Sequence, residues 1–276
     1  MKLNEKFDPF VAEWITFAKS QNYNLVEKCL KLAQILEYPD LEISKYIEMI
    51  NEVGKSLKMS IDKSDNTTYR ISILNEHLFQ NHGFRGDTDD YYNPKNNFLN
   101  KVLEKKSGIP ITLSIIYSEV AKHIDLDIRI VGFPSHVIVK YNEEIILDPF
   151  NQGKLLKIDD LHEILEKNYG GQVEFSPDFL DETSQEKILI RLVRNLKNSY
   201  ANSYAYEKSL RCANMILALE PESAEDVRDK GILEERFLNH SPALQLLNQY
   251  LELNPDAEDA DFVLDLIKDI RNKINQ

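Results

Sequence analysis

The chain has 276 residues, with 46 Asp and Glu against 33 Lys and Arg and a formal net charge of −13. That length holds one large domain or two smaller ones, each with a core of its own, and the acidity makes nucleic acid and anionic membrane surfaces poor partners. No run approaches the roughly 18 apolar residues of a membrane span, Met1–Asp8 has no apolar leader segment, and two cysteines do not make a disulfide framework, so a cytoplasmic location is expected.

Residues 8 to about 80 carry helical spacing. Phe10, Val11, Trp14 and Phe17 recur on one face, as do Leu25, Cys29, Leu32, Ala33 and Leu36. Pro39-Asp40 breaks the run, and Ile43, Tyr46, Ile47 and Ile50 mark a further helix from Leu41 to about Leu57. His77 and His82 are five residues apart, a poor spacing for a shared helical metal face, and both read as exposed.

Turn residues then crowd between Gly83 and Pro94. Asp87, Asp89 and Asp90 in this loop resemble a cation site, but Tyr91 and Tyr92 replace the later ligand and glycine positions of a calcium loop. A solvated turn is the expectation, and neither metal nor cofactor is implied. A helix from about Asn96 to Glu104 ends before Ser107-Gly108, and Pro110 fits the first turn of the next helix, where its missing N–H costs little. That helix carries Leu113, Ile116, Tyr117, Val120, Ala121 and Ile124, which reads as an amphipathic stripe.

Strands follow from Ile128 to Phe133 and then in a hairpin, Val131–Tyr141 and Glu144–Pro149, turning at Asn142-Glu143. Closed through a three-residue loop, the hairpin sets Lys140 opposite Glu144, Ile138 opposite Ile146 and His136 opposite Asp148. Val137, Val139, Ile145 and Leu147 then share the other face, which reads as core. Opposed Cβ atoms in antiparallel strands lie roughly 5 Å apart, so imidazole and carboxylate meet. A carboxylate that orients a histidine is two-thirds of a nucleophile–base–orienter triad.

The last part is helical and contains a repeat. Leu217-Ala-Leu-Glu-Pro221 recurs as Leu251-Glu-Leu-Asn-Pro255, a separation of 34 residues that is the tetratricopeptide period. The small or apolar slots fall on Val193, Leu196, Tyr200 and Ser209, then on Val227, Gly231 and Ala243, with Ala257–Ile274 as a capping helix. Lys230 and Glu234 sit where apolar or aromatic residues are usual. From Glu222 to Gln276 there are 13 Asp and Glu against 6 Lys and Arg, so over half the net charge lies in the last fifth of the chain. The expected class is α+β: a helical region over 1–80, a helix-plus-antiparallel-sheet core over 81–180, and helical repeats over 181–276.

From Leu74 to Leu156 the sequence resembles the SirB-type transglutaminase-like proteins, a bacterial family with C-terminal tetratricopeptide repeats. The resemblance rests on Gly83-Phe84 with Gly86, Tyr91-Tyr92-Asn93-Pro94, Asn96 with Leu99–Leu103, Gly108–Ser114, Gly132-Phe-Pro134 with His136, Asp148-Pro-Phe150 and Gly153. Ser135 stands where the family usually has glycine, and Val137 where it usually has phenylalanine. The resemblance implies a papain-like core with a cysteine at a helix N-terminus, then a histidine and an aspartate on following strands. The helix dipole and a nearby imidazolium stabilise such a thiolate, and the aspartate fixes the imidazole tautomer.

His136 and Asp148 match the second and third slots, but the first falls at Pro110–Thr112, where there is no cysteine. Cys29 and Cys212 both lie on apolar stripes and read as buried small hydrophobes. Thr112 and Ser114 carry hydroxyls near the right helix end and are the candidate nucleophiles, although such hydroxyls commonly satisfy backbone groups. Two functions follow. One is a non-catalytic interaction protein that has lost its nucleophile and binds a protein or peptide through its repeats. The other is a hydrolase or acyltransferase using His136 and Asp148 with Ser114, Thr112 or an activated water.

Overall fold

The computed structural model describes residues 9–62 and 64–275; Met1–Asp8, read above for a leader segment, lies outside the described residues. Helix α1 (Pro9–Lys19) opens the described chain but groups with the C-terminal helices, whereas residues 20–192 form a unit of their own.

In the 20–192 unit, α2 (Leu25–Leu36) starts from a reciprocal cap: Glu27 N donates to Asn24 Oδ1 at 2.9 Å, and Asn24 N to Glu27 Oε2 at 2.7 Å. Helix α3 (Ile43–Lys58) follows, then α4 (Thr67–Asn75), which runs into a π-helical turn over Glu76–Asn81. Short strands β1 (Arg85–Gly86) and β2 (Ser107–Gly108) pair in parallel and flank α5 (Leu99–Lys105). Helix α6 (Pro110–Ala121) comes next, then the antiparallel meander β3 (Arg129–Val131), β4 (Ile138–Lys140), β5 (Ile146–Asp148) and β6 (Lys154–Leu156), and α7 (Ile158–Tyr169).

Helix α6 is buried on every side except at Glu119, not only along the expected stripe. Its polar face is made of small hydroxyls that neighbouring carbonyls satisfy: Thr112 Oγ1 donates to Asn96 O at 3.1 Å, Ser114 Oγ to Val137 O at 3.5 Å, and Ser118 Oγ to Ile128 O at 2.5 Å. A hydroxyl bonded in this way costs far less to bury than a bare one. The helix is therefore the central pillar of the unit. It packs on α3, β3 and β4.

Both faces of the sheet are covered as well. Ile138 and Ile146 join Leu161 and Leu165 of α7 in one apolar cluster, while Val139 and Leu147 are buried on the opposite face. The hairpin register differs from the sequence reading. Lys140 pairs with Ile146 and Val139 with Leu147, while Tyr141 N donates to Ile145 O at 3.0 Å. The loop is thus 142–144, because Asn142 Oδ1 accepts from both Glu144 N and Ile145 N and closes the turn there. Lys140 consequently meets Glu143, at 3.1 Å, rather than Glu144.

The second unit comprises α1 and residues 193–276. Helix α8 (Gln185–Asn202) enters it, followed by α9 (Tyr206–Leu217), α10 (Ala224–Arg236), α11 (His240–Leu253) and α12 (Ala260–Ile274). Val193, Leu196, Tyr200, Ser209, Val227 and Ala243 are all buried at the expected repeat positions. Gly231 allows α10 and α11 to approach closely, since a Cβ there would lie 3.0 Å from Leu247. Trp14 of α1 is fully buried and its Nε1 donates to Met215 O at 2.8 Å, which fixes α1 against α9.

Candidate functional site

His136 lies just before β4, in a turn where its N–H donates to Phe133 O at 3.1 Å and Ser135 takes a left-handed φ of 60°. It is therefore not cross-strand to Asp148; the register sets Ile138 opposite that residue. The imidazole instead reaches back diagonally, and its Nε2 lies 2.9 Å from Asp148 Oδ2. Asp148 ends β5 and caps the 3₁₀ turn Pro149–Asn151. Its Oδ1 accepts from Phe150 N at 3.0 Å and Asn151 N at 3.3 Å, and its Oδ2 accepts from Asn151 Nδ2 at 2.7 Å. Burial pushes this carboxyl upward, but the His136 and Asn151 interactions outweigh it and hold the group below the ordinary aspartate range. With Nε2 turned to the carboxylate, Nδ1 is the ring nitrogen that Asp148 does not engage.

Distant residues hold this pair in place. Arg191 donates through Nη1 to Phe133 O at 3.0 Å and through Nη2 to His136 O at 2.7 Å, clamping the His136 turn from α8. On the other side, Gly153 N donates to Asp148 O at 2.8 Å, and Asn75 Nδ2 donates to Gly153 O at 3.1 Å. The Tyr117 hydroxyl of the central helix donates to Asn75 Oδ1 at 2.7 Å, which ties the aspartate loop to α6 through α4.

The pair borders a cleft of about 530 Å³. Pro110, the first residue of α6, lines it together with His136, Asp148, Tyr91 and Phe150. Phe150 packs edge-on against both Tyr91, at 5.9 Å, and His136, at 6.3 Å, while its ring fills the space that a Cβ on Gly86 would occupy. The facing wall is β6 and α7, with Lys154, Asp160, Glu163, Ile164 and Lys167. Lys154 and Asp160 form an ion pair of 2.5 Å across it. The sequence reading missed Tyr91, Asn151, Lys154 and Asp160 as parts of a site. For Asn151 there was a signal, since Asp148-Pro-Phe-Asn151 is a turn sequence in which a side chain caps its own backbone.

The two candidate hydroxyls are elsewhere. Thr112 and Ser114 are fully buried, and neither lines the cleft. Thr112 Oγ1 accepts from Ile109 N at 3.1 Å and otherwise meets only the carbonyls of Asn96 and Ile109; Ser114 Oγ meets Val137 O. At the start of this buried helix both hydroxyls are thus engaged with backbone groups. Cys29 and Cys212 are buried and outside the cleft, and burial pushes the Cys29 thiol up to about 12. The Asp87–Asp90 loop closes on itself, with Asp90 N donating to Asp87 Oδ1 at 3.0 Å. His77 is buried rather than exposed, with Nε2 at 3.0 Å from Ser56 Oγ and 3.1 Å from Val53 O. Among the described residues, no group of three or more His, Cys, Asp or Glu could hold a metal ion, and no helix is long and apolar enough to cross a membrane.

Residues 44–194 match the transglutaminase-like superfamily, and residues 196–268 match the tetratricopeptide repeat. A UPF0162 protein of Xylella fastidiosa is 32% identical over 246 residues, covering 86% of each chain. A UPF0162 protein of Vibrio cholerae is 22% identical over 232 residues and 83% of each chain. Protein SirB1 of Salmonella typhimurium is 27% identical over 180 residues, which is 64% of this chain and 66% of that one.

Proposed function

The chain belongs to the transglutaminase-like superfamily, in its bacterial branch with C-terminal tetratricopeptide repeats, and from that premise we propose that it is a non-catalytic protein-interaction protein. The observation that carries this is Pro110. It occupies the helix start that borders the His136–Asp148 cleft, and it has no nucleophilic atom. The nearest hydroxyls along α6 are committed to backbone groups. What is left is a binding cleft with an oriented imidazole, joined to a module whose relatives in fold hold peptides and helices. Two buried thiols fit a reducing compartment, and we place the protein in the cytoplasm.

The test is turnover. Full-length protein, His136→Ala and Asp148→Asn are compared on activated esters, peptide amides and a glutamine-plus-amine transfer assay. All three proteins should give the same background rate. A rate that disappears with His136→Ala contradicts the proposal. It would support the second reading, a hydrolase in which Nδ1 of His136 activates water. That reading is favoured by the intact 2.9 Å contact between His136 and Asp148.

A further inference from the structure

Tyr204 and Leu238 are 34 residues apart, one repeat period, and share an unusual conformation. Each follows the first helix of a repeat and adopts a left-handed φ of 61°. In each turn the next residue closes a wide loop, Ala205 N donating to Tyr200 O at 2.8 Å and Asn239 N to Glu234 O at 2.9 Å. The left-handed residues bond one turn back, Tyr204 N to Ala201 O at 3.1 Å and Leu238 N to Glu235 O at 2.8 Å. This is the turn that glycine ordinarily ends, because a Cβ is strained there. Here it holds a tyrosine that is 78% exposed and a leucine that is 71% exposed. Neither side chain gains burial in return for the strain. Backbone strain of this kind clusters at binding and active sites.

The two turns are joined into one ridge. The Tyr204 ring meets Tyr206 edge-on at 6.1 Å, and the Arg236 guanidinium lies 4.0 Å over the Tyr206 ring. Leu238 follows two residues after Arg236. Although this end of the chain is rich in carboxylates, Arg236 has no carboxylate partner among the described residues, while its neighbour Glu235 is taken by Lys273 at 2.6 Å. A stacked guanidinium without a counter-ion keeps its planar donor fork free for a carboxylate. Tyrosine and arginine are the residue types that dominate binding energy at interfaces, and exposed Leu238 adds apolar area beside them.

We propose that this ridge, Tyr204–Tyr206–Arg236–Leu238, docks an acidic segment of a partner protein, one carboxylate pairing with Arg236 and flanking apolar side chains covering Tyr204 and Leu238. The proposal deepens the reading of the repeats as an interaction module and rests on it. The ridge is the run of turns between repeat helices.

The probe is a fluorescein-labelled peptide of alternating glutamate and leucine, with a lysine–leucine peptide as control, titrated with the full chain. The acidic peptide should bind at least tenfold more tightly than the basic one, with an affinity that falls as salt rises. Tyr204→Gly with Leu238→Gly should weaken binding at least tenfold while the melting temperature holds or rises, since glycine relieves both turns. Arg236→Gln should abolish the preference for the acidic peptide. Equal binding of the two peptides, or glycine variants that bind as tightly as the parent, overturns the proposal. Self-association that the glycine variants abolish would assign the ridge to a second copy and overturn it equally. Partner capture by the full chain that survives the glycine substitutions would leave the interaction role standing and remove only this ridge.

Discussion

Asn75 and Gly153 fit against each other so closely that the glycine has no room for a side chain. Asn75 Nδ2 donates to Gly153 O at 3.1 Å, and a Cβ on Gly153 would come within 2.1 Å of Asn75 Oδ1. Gly153 also has φ of 72° and donates its N–H to Asp148 O at 2.8 Å. The first prediction follows from this contact. Gly153→Ala should lose about 1–3 kcal/mol of stability by overpacking at a left-handed position. It should also disturb the imidazole, because the loop it displaces carries Asp148. Urea unfolding measures the first effect and the His136 ring resonances the second. Unchanged ring signals would mean that Asn75 does not position the site.

Asp148 gives a pH prediction. Its folded-state pKa lies below the ordinary aspartate value, so its contribution to stability is fully present above about pH 4 and is lost as pH falls through the depressed folded value. Asp148→Asn should keep the fold at neutral pH but flatten the acid limb of stability against pH. Replacing His136 with Ala leaves the buried carboxylate short of one partner and should cost on the order of 1–3 kcal/mol. Denaturant midpoints measured from pH 3 to pH 7 check both; an acid limb identical to the parent's in Asp148→Asn contradicts the linkage.

Pro110 predicts a gain. In Pro110→Cys a thiol would stand at the first position of a 12-residue helix, beside the cleft that His136 lines. Its thiolate should be stabilised below the free value of about 8.5. Alkylation by iodoacetamide against pH reads that value, and adding His136→Ala should move it back up. A thiol that reacts as slowly as Cys29 would show that the helix start does not face the imidazole.

The repeats rest on a buried charge cluster. Asp226 is fully buried and accepts from Lys197 at 2.6 Å and from Arg194 at 2.7 Å, with Ser223 Oγ donating to it at 2.6 Å. Asp226→Ala strands Lys197, whose side chain is 4% exposed. Removing one member of a buried ion pair costs about 3–5 kcal/mol, and the remaining Lys197–Asp229 contact places the expected loss at the lower end. Thermal or urea unfolding of the full chain checks it. A loss under about 1 kcal/mol would class the cluster with surface pairs.

Much of this architecture was legible in the residues, and each miss has its own physical cause. The 34-residue period marked Val193, Leu196, Tyr200, Val227 and Ala243, because repeated packing leaves repeated side chains. Strand alternation put His136 and Asp148 on one side of the hairpin, and they meet. The register itself escaped, since one side chain, Asn142, decides which three residues form the loop. Helix α6 looked half-exposed because Thr112, Ser114 and Ser118 are polar, and only tertiary neighbours reveal that carbonyls satisfy them. Asn75 and Arg191 lie far along the chain from the pair they hold, so no local pattern announces them.

On the proposed function, the cleft holds an oriented histidine without a nucleophile. Intact-mass and peptide-level mass spectrometry of the full-length protein, after exposure to a serine- and threonine-directed fluorophosphonate and to an activated acyl ester, tests it most directly. No adduct is expected on Thr112 or Ser114, and none whose formation depends on His136. A stoichiometric adduct on either hydroxyl that vanishes in His136→Ala would contradict it.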